Sequence, residues 1–305
     1  MKLLIIGAGT IAGHSLLRIF PRESAAELLF AYDSRDTISP LAGIDHRIID
    51  LIDKKQVKTL CNEFRPDVII NTAGWHDIDK CERQKQFCWQ MNTALPETLA
   101  RISVINECRL ICHSTDMIFP GSEAPYSEEA RPSPVNYYAK SRLAMENILK
   151  SRNYGYTILR SSAIYGPNTS DSYNFFNTEI EYLRKGENFS IPGQFLFNPL
   201  YADDFARTAL AAILKRKSGI FNIGSPGMLT FSEAIESVKH VFKSKSNIDS
   251  VPPDNFFADA RLPSSAGLIT LKAETDLGIK FTNLKNGLTA YKLYLDKLTN
   301  RSDQI

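Results

Sequence analysis

Hydrophobic positions along the chain fall into short unbroken runs separated by longer stretches with helical spacing. Leu3-Leu4-Ile5-Ile6 has no helical period and reads as a strand buried on both faces. Residues 28–32, 67–71, 109–114 and 156–160 have the same character, and helical patterns over 54–64, 81–104 and 136–151 lie between them, the second expected to be interrupted near Pro96. Strands alternating with helices predict an α/β fold, a Rossmann-like doubly wound parallel sheet covered on both faces. Beyond Gly166 the pattern is less regular, with helical stretches at 175–185, 202–215, 231–242 and 284–299 and a strand-like run at 219–223. The division expected is a Rossmann domain over 1–165 and a smaller mixed α/β substrate-binding lobe over 166–305, interleaved with the main sheet through 219–223.

The first strand runs into Gly7-Ala8-Gly9-Thr10-Ile11-Ala12-Gly13, a tight turn opening a helix. Gly7 permits the sharp turn, Gly9 lets backbone N–H groups approach a pyrophosphate, and Ala12 or Gly13 lets the helix pack closely on the strand. The helix N-terminus adds partial positive charge where phosphates would lie. Thr10 crowds this turn slightly, but its hydroxyl is free to bond a phosphate, and Ile11 completes the seat. Asp33 closes the second strand twenty residues past Gly13, where an acid accepts hydrogen bonds from an adenosine ribose or else caps a turn. An acid here disfavours a 2′-phosphate, so NAD is expected ahead of NADP, although Arg35 is placed to accommodate NADP. Asp50 and Leu51 are the further candidates for contact with the coenzyme, and Asn71, Ala73 and Gly74, after the fourth strand, are expected to line its groove.

Composition narrows the partners. The 305 residues, 43% hydrophobic and 23% charged, suffice for a full core. A net charge of +2 gives no electrostatic case for nucleic acid or an anionic membrane. The basic runs Lys215-Arg216-Lys217 and Lys243-Ser244-Lys245 fall where helices should end, and helix C-termini favour cations. No apolar stretch approaches the ~20 residues that span a bilayer, and the glycine-rich start does not resemble a signal peptide. Five cysteines without a Cys-x-x-Cys pair read as reduced thiols in a cytoplasmic protein. The five histidines show no metal-ligand spacing, so no metal site is expected.

Several segments, taken in order, resemble the extended short-chain dehydrogenase/reductase superfamily, and within it the dTDP-4-dehydrorhamnose reductase group. They are Arg65-Pro66-Asp67-Val68-Ile69-Ile70-Asn71-Thr72-Ala73, Asp79-Lys80-Cys81-Glu82, His113-Ser114-Thr115-Asp116-Met117-Ile118-Phe119-Pro120-Gly121, Asn136-Tyr137-Tyr138-Ala139-Lys140-Ser141-Arg142 and Asn198-Pro199-Leu200-Tyr201-Ala202-Asp203-Asp204. The resemblance implies hydride transfer from a nicotinamide to the keto carbon of a nucleotide-linked 4-keto-6-deoxysugar. It implies that Tyr138 donates the proton to the sugar oxygen and that Thr115 holds that oxygen. A lysine that binds the nicotinamide ribose and lowers the tyrosine pKa is expected four residues after the tyrosine, and Arg142 stands there. Guanidinium supplies charge but does not pass on a proton or reproduce the ammonium's contacts. Lys140, two residues away, faces elsewhere on the helix. Asp116, Met117, Ala163 and Asn174 fall on the substrate side, with Met117 where the family usually has an aromatic and Ala163 where its reductases often have tryptophan, so a reshaped sugar pocket is expected.

His76 and Asp77 read as solvated loop groups, and Trp75 either as a stacking platform for a ligand or as a half-buried loop aromatic. Two functions remain open. One is an NAD(P)-dependent reductase of a nucleotide sugar, a small-molecule substrate, with a homodimer allowed. The other is a nucleotide-binding protein that has lost turnover, resembling the regulatory beta subunit of methionine adenosyltransferase.

Overall fold

The computed structural model describes residues 1–36, 43–152, 155–168 and 175–302. Its main sheet has strands β1 (Lys2–Ile6), β2 (Glu27–Asp33), β3 (His46–Ile49), β4 (Val68–Asn71), β5 (Arg109–Thr115), β6 (Tyr156–Ser161) and β7 (Gly219–Ile223). All seven are parallel, in the order β7-β6-β5-β4-β1-β2-β3. The strand order reverses at the β1–β4 junction, and in such sheets ligands bind there, outside the carboxyl ends of the strands. Register brings those ends level: Ile6 pairs with Asn71, Asn71 with Cys112, and Thr115 with Ser161.

Helix α1 (Ile11–Glu23) covers one face, its Leu16 and Phe20 packed with Phe205 and Ala209, which come from a helix over Ala202–Leu214. Helices α2 (Lys54–Phe64), α5 (Leu95–Ile105) and α6 (Tyr137–Arg152) cover the other through Val57, Leu99, Met145 and Leu149. The interruption expected near Pro96 lies elsewhere. Asp77 caps a short α3 (Ile78–Arg83), the chain breaks at Gln84, and α4 (Lys85–Trp89) leads into a π-helical turn over Gln90–Ala94. Leu95 N–H reaches back to Gln90 O across that wide turn, and Pro96 sits in the first turn of α5, where its missing N–H costs no ladder bond.

The lobe is built around Phe176, Phe195, Phe197 and Phe231, carried partly by α7 (Phe175–Lys185) and α9 (Phe231–Phe242). Its chain returns to the sheet through α8 (Ala202–Leu214), β7 and a helix not foreseen, α10 (Leu271–Leu277), whose Ala273 and Leu277 join the main core. The basic runs follow α8 and α9, and Lys243 is the left-handed C-cap of α9. Helix α11 (Leu284–Ser302) is the last element among the described residues. Asp79 of α3 anchors the lobe by accepting the N–H groups of Ala258, Asp259 and Ala260 at 2.9–3.1 Å. All five cysteines are buried and free. No helix among the described residues is long and apolar enough to cross a membrane.

Candidate active site

The glycine turn is pressed against the sheet. A β-carbon at Gly7, whose φ is +88°, would lie 2.3 Å from Ala73 N, and one at Gly13 would lie 2.1 Å from Gly7 O. Both positions therefore exclude any side chain, and the start of α1 opens directly on a cleft lined by Thr10 and Ile11. The Thr10 hydroxyl is not left over for a phosphate. It donates to Gly7 O at 3.0 Å and accepts from Gly13 N at 3.0 Å, serving as the N-cap of α1. Gly9 is buried within the turn. Asn71 is buried below it, with no hydrogen-bond partner for Oδ1 among the described residues.

At the end of β2 the Asp33 carboxylate is engaged at both oxygens by Arg35, Oδ1 by the backbone N–H at 2.9 Å and Oδ2 by the guanidinium at 2.6 Å. The same guanidinium reaches Asp50 at 3.0 Å and lies over the Phe87 ring. Asp50 also accepts from Ile52 N, and Leu51 is part of the core beneath.

Tyr138 and Arg142, one turn apart on α6, both turn inward, whereas Lys140 is exposed. The Arg142 guanidinium stands 5.6 Å over the Tyr138 ring, and Nη1 donates to His113 O at 3.4 Å. The resemblance implied a tyrosine whose pKa is lowered. Here burial pushes the phenol above its usual 10, outweighing the opposing pull of Arg142 and the bond from the Thr115 hydroxyl. Arg142 is 1% exposed, pairs with no carboxylate among the described residues, and has an unpartnered Nε. Thr115 and Asp116 line the same cleft. Burial raises the Asp116 carboxyl to about 6, and Oδ2 accepts from Gly267 N at 3.1 Å, fastening the lobe to the end of β5.

His76 is the main correction to the sequence reading. It is not a solvated loop group but lines the cleft, with Nδ1 3.4 Å from the Tyr138 hydroxyl and Arg142 Nη2 3.4 and 3.5 Å from its ring nitrogens. Its ring is 6.0 Å from that of His113, which bonds Ser161 Oγ at 2.8 Å and is held neutral by burial, its pKa down to about 3. Asp77 is instead the N-cap of α3, accepting from Lys80 N and pairing with the Lys80 ammonium.

The sequence profile described as the RmlD substrate binding domain matches residues 1–297. The chain belongs to that family. Among its relatives, the probable low-salt glycan biosynthesis reductase Agl14 of Haloferax volcanii is 27% identical over 294 residues, 95% of this chain and 97% of that one. Methionine adenosyltransferase 2 subunit beta of Xenopus tropicalis is 32% identical over 165 residues, 54% of this chain and 47% of that one. The crystal structure of dTDP-4-dehydrorhamnose reductase from Bacillus anthracis in complex with NADP superposes with a TM-score of 0.82 at 22% identity, over 96% of this chain and 99% of that one.

Within the RmlD fold this chain positions its site with side chains that spacing did not reveal. Asn92, in the π-helical turn, accepts from Trp75 N at 2.7 Å and donates to Trp75 O at 3.0 Å and Ser141 Oγ at 3.1 Å, joining the loop after β4 to α6. π-Helical turns recur at functional sites, but they have no sequence signal. Trp75 is half-buried, edge-on to Phe87. Met117 and Ala163 line the cleft, and Asn174 lies outside the described residues. Among the described residues no group of three His, Cys, Asp or Glu side chains is placed to hold a metal ion.

Proposed function

We propose that this protein is an NAD(P)H-dependent reductase of a nucleotide-activated 4-keto-6-deoxysugar, residues 1–165 seating the coenzyme and 166–305 presenting the sugar nucleotide. The observation that carries this reading is the placing of the Tyr138 phenol in one cleft with Thr115 and the N-terminus of α1. A dinucleotide fits the seat: the close packing at Gly7 and Gly13 sets the first turn of α1, with Thr10, Ile11 and Ala12, at the cleft wall, and Asn71 Oδ1 and Arg142 Nε are buried atoms without hydrogen-bond partners among the described residues. Arg35, across the Asp33 carboxylate, suits a coenzyme with or without a 2′-phosphate.

The coenzyme, when bound, supplies the hydride. Tyr138 supplies the proton: its raised pKa keeps the phenol protonated throughout the neutral range, as a donor requires. Thr115 holds the sugar oxygen beside it, and Arg142 stabilises the phenolate left after transfer. The relatives named as reductases support this chemistry, and the NADP complex of a structural neighbour supports the coenzyme class.

The second reading, a regulatory subunit without turnover, is favoured by Arg142 in the lysine position and by the similarity to the methionine adenosyltransferase subunit. Mixing the protein with NADH or NADPH and a panel of nucleotide-linked 4-ketosugars separates the two. A fall in reduced-nicotinamide absorbance supports the reductase, and a flat trace with tight coenzyme binding supports the regulatory subunit.

A further inference from the structure

Turnover at this site needs a proton to return to Tyr138 after each transfer. Arg142 does not provide it, because a guanidinium stays protonated at any physiological pH. We propose that His76 is the relay that reprotonates Tyr138, carrying a solvent proton from the cleft to the phenol oxygen. This rests on the reductase reading of the same site.

The geometry supports a relay on three counts. His76 Nδ1 is 3.4 Å from Tyr138 Oη, a separation at which catalytic hydrogen bonds often stand before reactants tighten them. The ring lines the cleft, so the imidazole touches both the phenol and the space that solvent enters. Residue 76 is also gripped on both sides, by the paired bonds of Asn92 to Trp75 and by the Asp77 cap on Lys80 N at 3.0 Å.

The charged and titratable groups facing the ring are Arg142 and Tyr138 from α6 and His113 from β5, with Asp116 elsewhere on the cleft wall. Burial, then the Arg142 cation, hold His76 well below its ordinary pKa of 6.5, so the imidazole is neutral. A neutral ring relays by exchange. The phenolate takes the Nδ1 proton while Nε2 receives one from solvent, which restores the phenol and leaves the neutral ring as its Nε2–H tautomer. Exchange of the ring protons with solvent, Nε2 losing one and Nδ1 gaining one, resets the ring before the next transfer. One solvent proton is consumed for each hydride delivered to a carbonyl.

The signature is kinetic. The first turnover uses the proton already on Tyr138, so His76→Ala should show a burst of one product per site at close to the wild-type rate. Steady-state turnover should then fall about ten- to a hundredfold, with KM little changed and added imidazole restoring the rate. His76→Gln, which fills the space but cannot exchange protons, should show the same burst without rescue. Steady-state rates close to wild type in both variants, or burst and steady state falling together, overturn the relay. A readout independent of turnover is the ¹⁵N spectrum of His76 in coenzyme-free protein, which should shift on Tyr138→Phe. An unmoved resonance overturns the contact even if the wild type reduces none of the sugars, a result that would separately remove the reductase reading.

Discussion

Gly74 makes the room that Arg142 occupies: a β-carbon at residue 74 would stand 2.0 Å from Nη2 and 2.7 Å from the guanidinium carbon. The loop after β4 and the inner face of α6 are therefore fitted to one another, and a guanidinium bulkier than an ammonium is housed without opening the sheet. Gly74→Ala should displace Arg142 and lower kcat/KM about tenfold, while costing less beside Arg142→Lys. The coupling in that double-mutant cycle should reach about 1 kcal/mol, and additive effects would mean that the two positions do not act together.

Tyr138→Phe removes the proton donor but keeps the ring under Arg142. Turnover should fall by about 10²- to 10⁴-fold, with coenzyme affinity, measured by fluorescence titration, almost unchanged. Because the phenol titrates above its usual 10, the wild-type rate should show no alkaline loss from Tyr138 below that pH. A base limb near neutrality that Tyr138→Phe abolishes would contradict this.

Arg35 divides its charge between Asp33 and Asp50 at 2.6 and 3.0 Å. A 2′-phosphate would compete for that guanidinium, whereas ribose hydroxyls would compete for Asp33. Arg35→Ala should therefore weaken NADPH binding by about 1 kcal/mol or more, within the range of a partly exposed charged contact, and leave NADH binding equal or stronger. Equal losses for both coenzymes would place Arg35 away from the adenosine ribose.

The doubly wound sheet was legible because its strands are unbroken apolar runs buried on both faces, Leu3 to Ile6 above all, and because Gly7 and Gly13 mark positions where the fold admits no side chain. Tyr138 and Arg142 were legible as a pair because four residues make one helical turn. His76 was not, since its direction depends on a bond between Asn92 and the preceding residue, sixteen or so positions on, inside a π-helical turn that periodicity read as plain helix. Thr10 misled for a related reason. Its hydroxyl looked available to a ligand, but an N-cap satisfies the helix's own amides first.

Helix α6 is fixed to the sheet by a buried bidentate pair. Arg160 of β6 donates to both Glu146 oxygens at 2.7 and 2.8 Å, and Ser114 of β5 donates to the same carboxylate at 2.7 Å. Both charged side chains are at most 1% exposed. Lys150 also reaches the Glu146 carboxylate, at 3.4 Å, so it is removal of Glu146 that leaves a buried charge, Arg160, without a carboxylate among the described residues. Glu146→Ala should cost about 3–5 kcal/mol in urea unfolding and Glu146→Gln less. A cost near zero would show that water reaches Arg160.

Glu179 of α7 tests the lobe in the same way, through a buried carboxyl rather than an ion pair. It is 4% exposed, Oε2 has no hydrogen bond among the described residues, and burial raises its pKa from 4.5 to about 8. Between those two values the folded protein holds a proton that the unfolded chain releases, so stability must fall as pH rises through that window. Below it both states are protonated, and above it both are ionised, so the loss levels off. Glu179→Gln keeps the shape and never ionises. Its unfolding free energy, from urea melts, should accordingly decline less than that of the wild type from pH 5 to pH 8, by an amount approaching about 1.4 kcal/mol for each pH unit over which only the unfolded carboxyl is charged. Parallel declines across that range would mean that Glu179 ionises in the folded lobe as readily as it does in water.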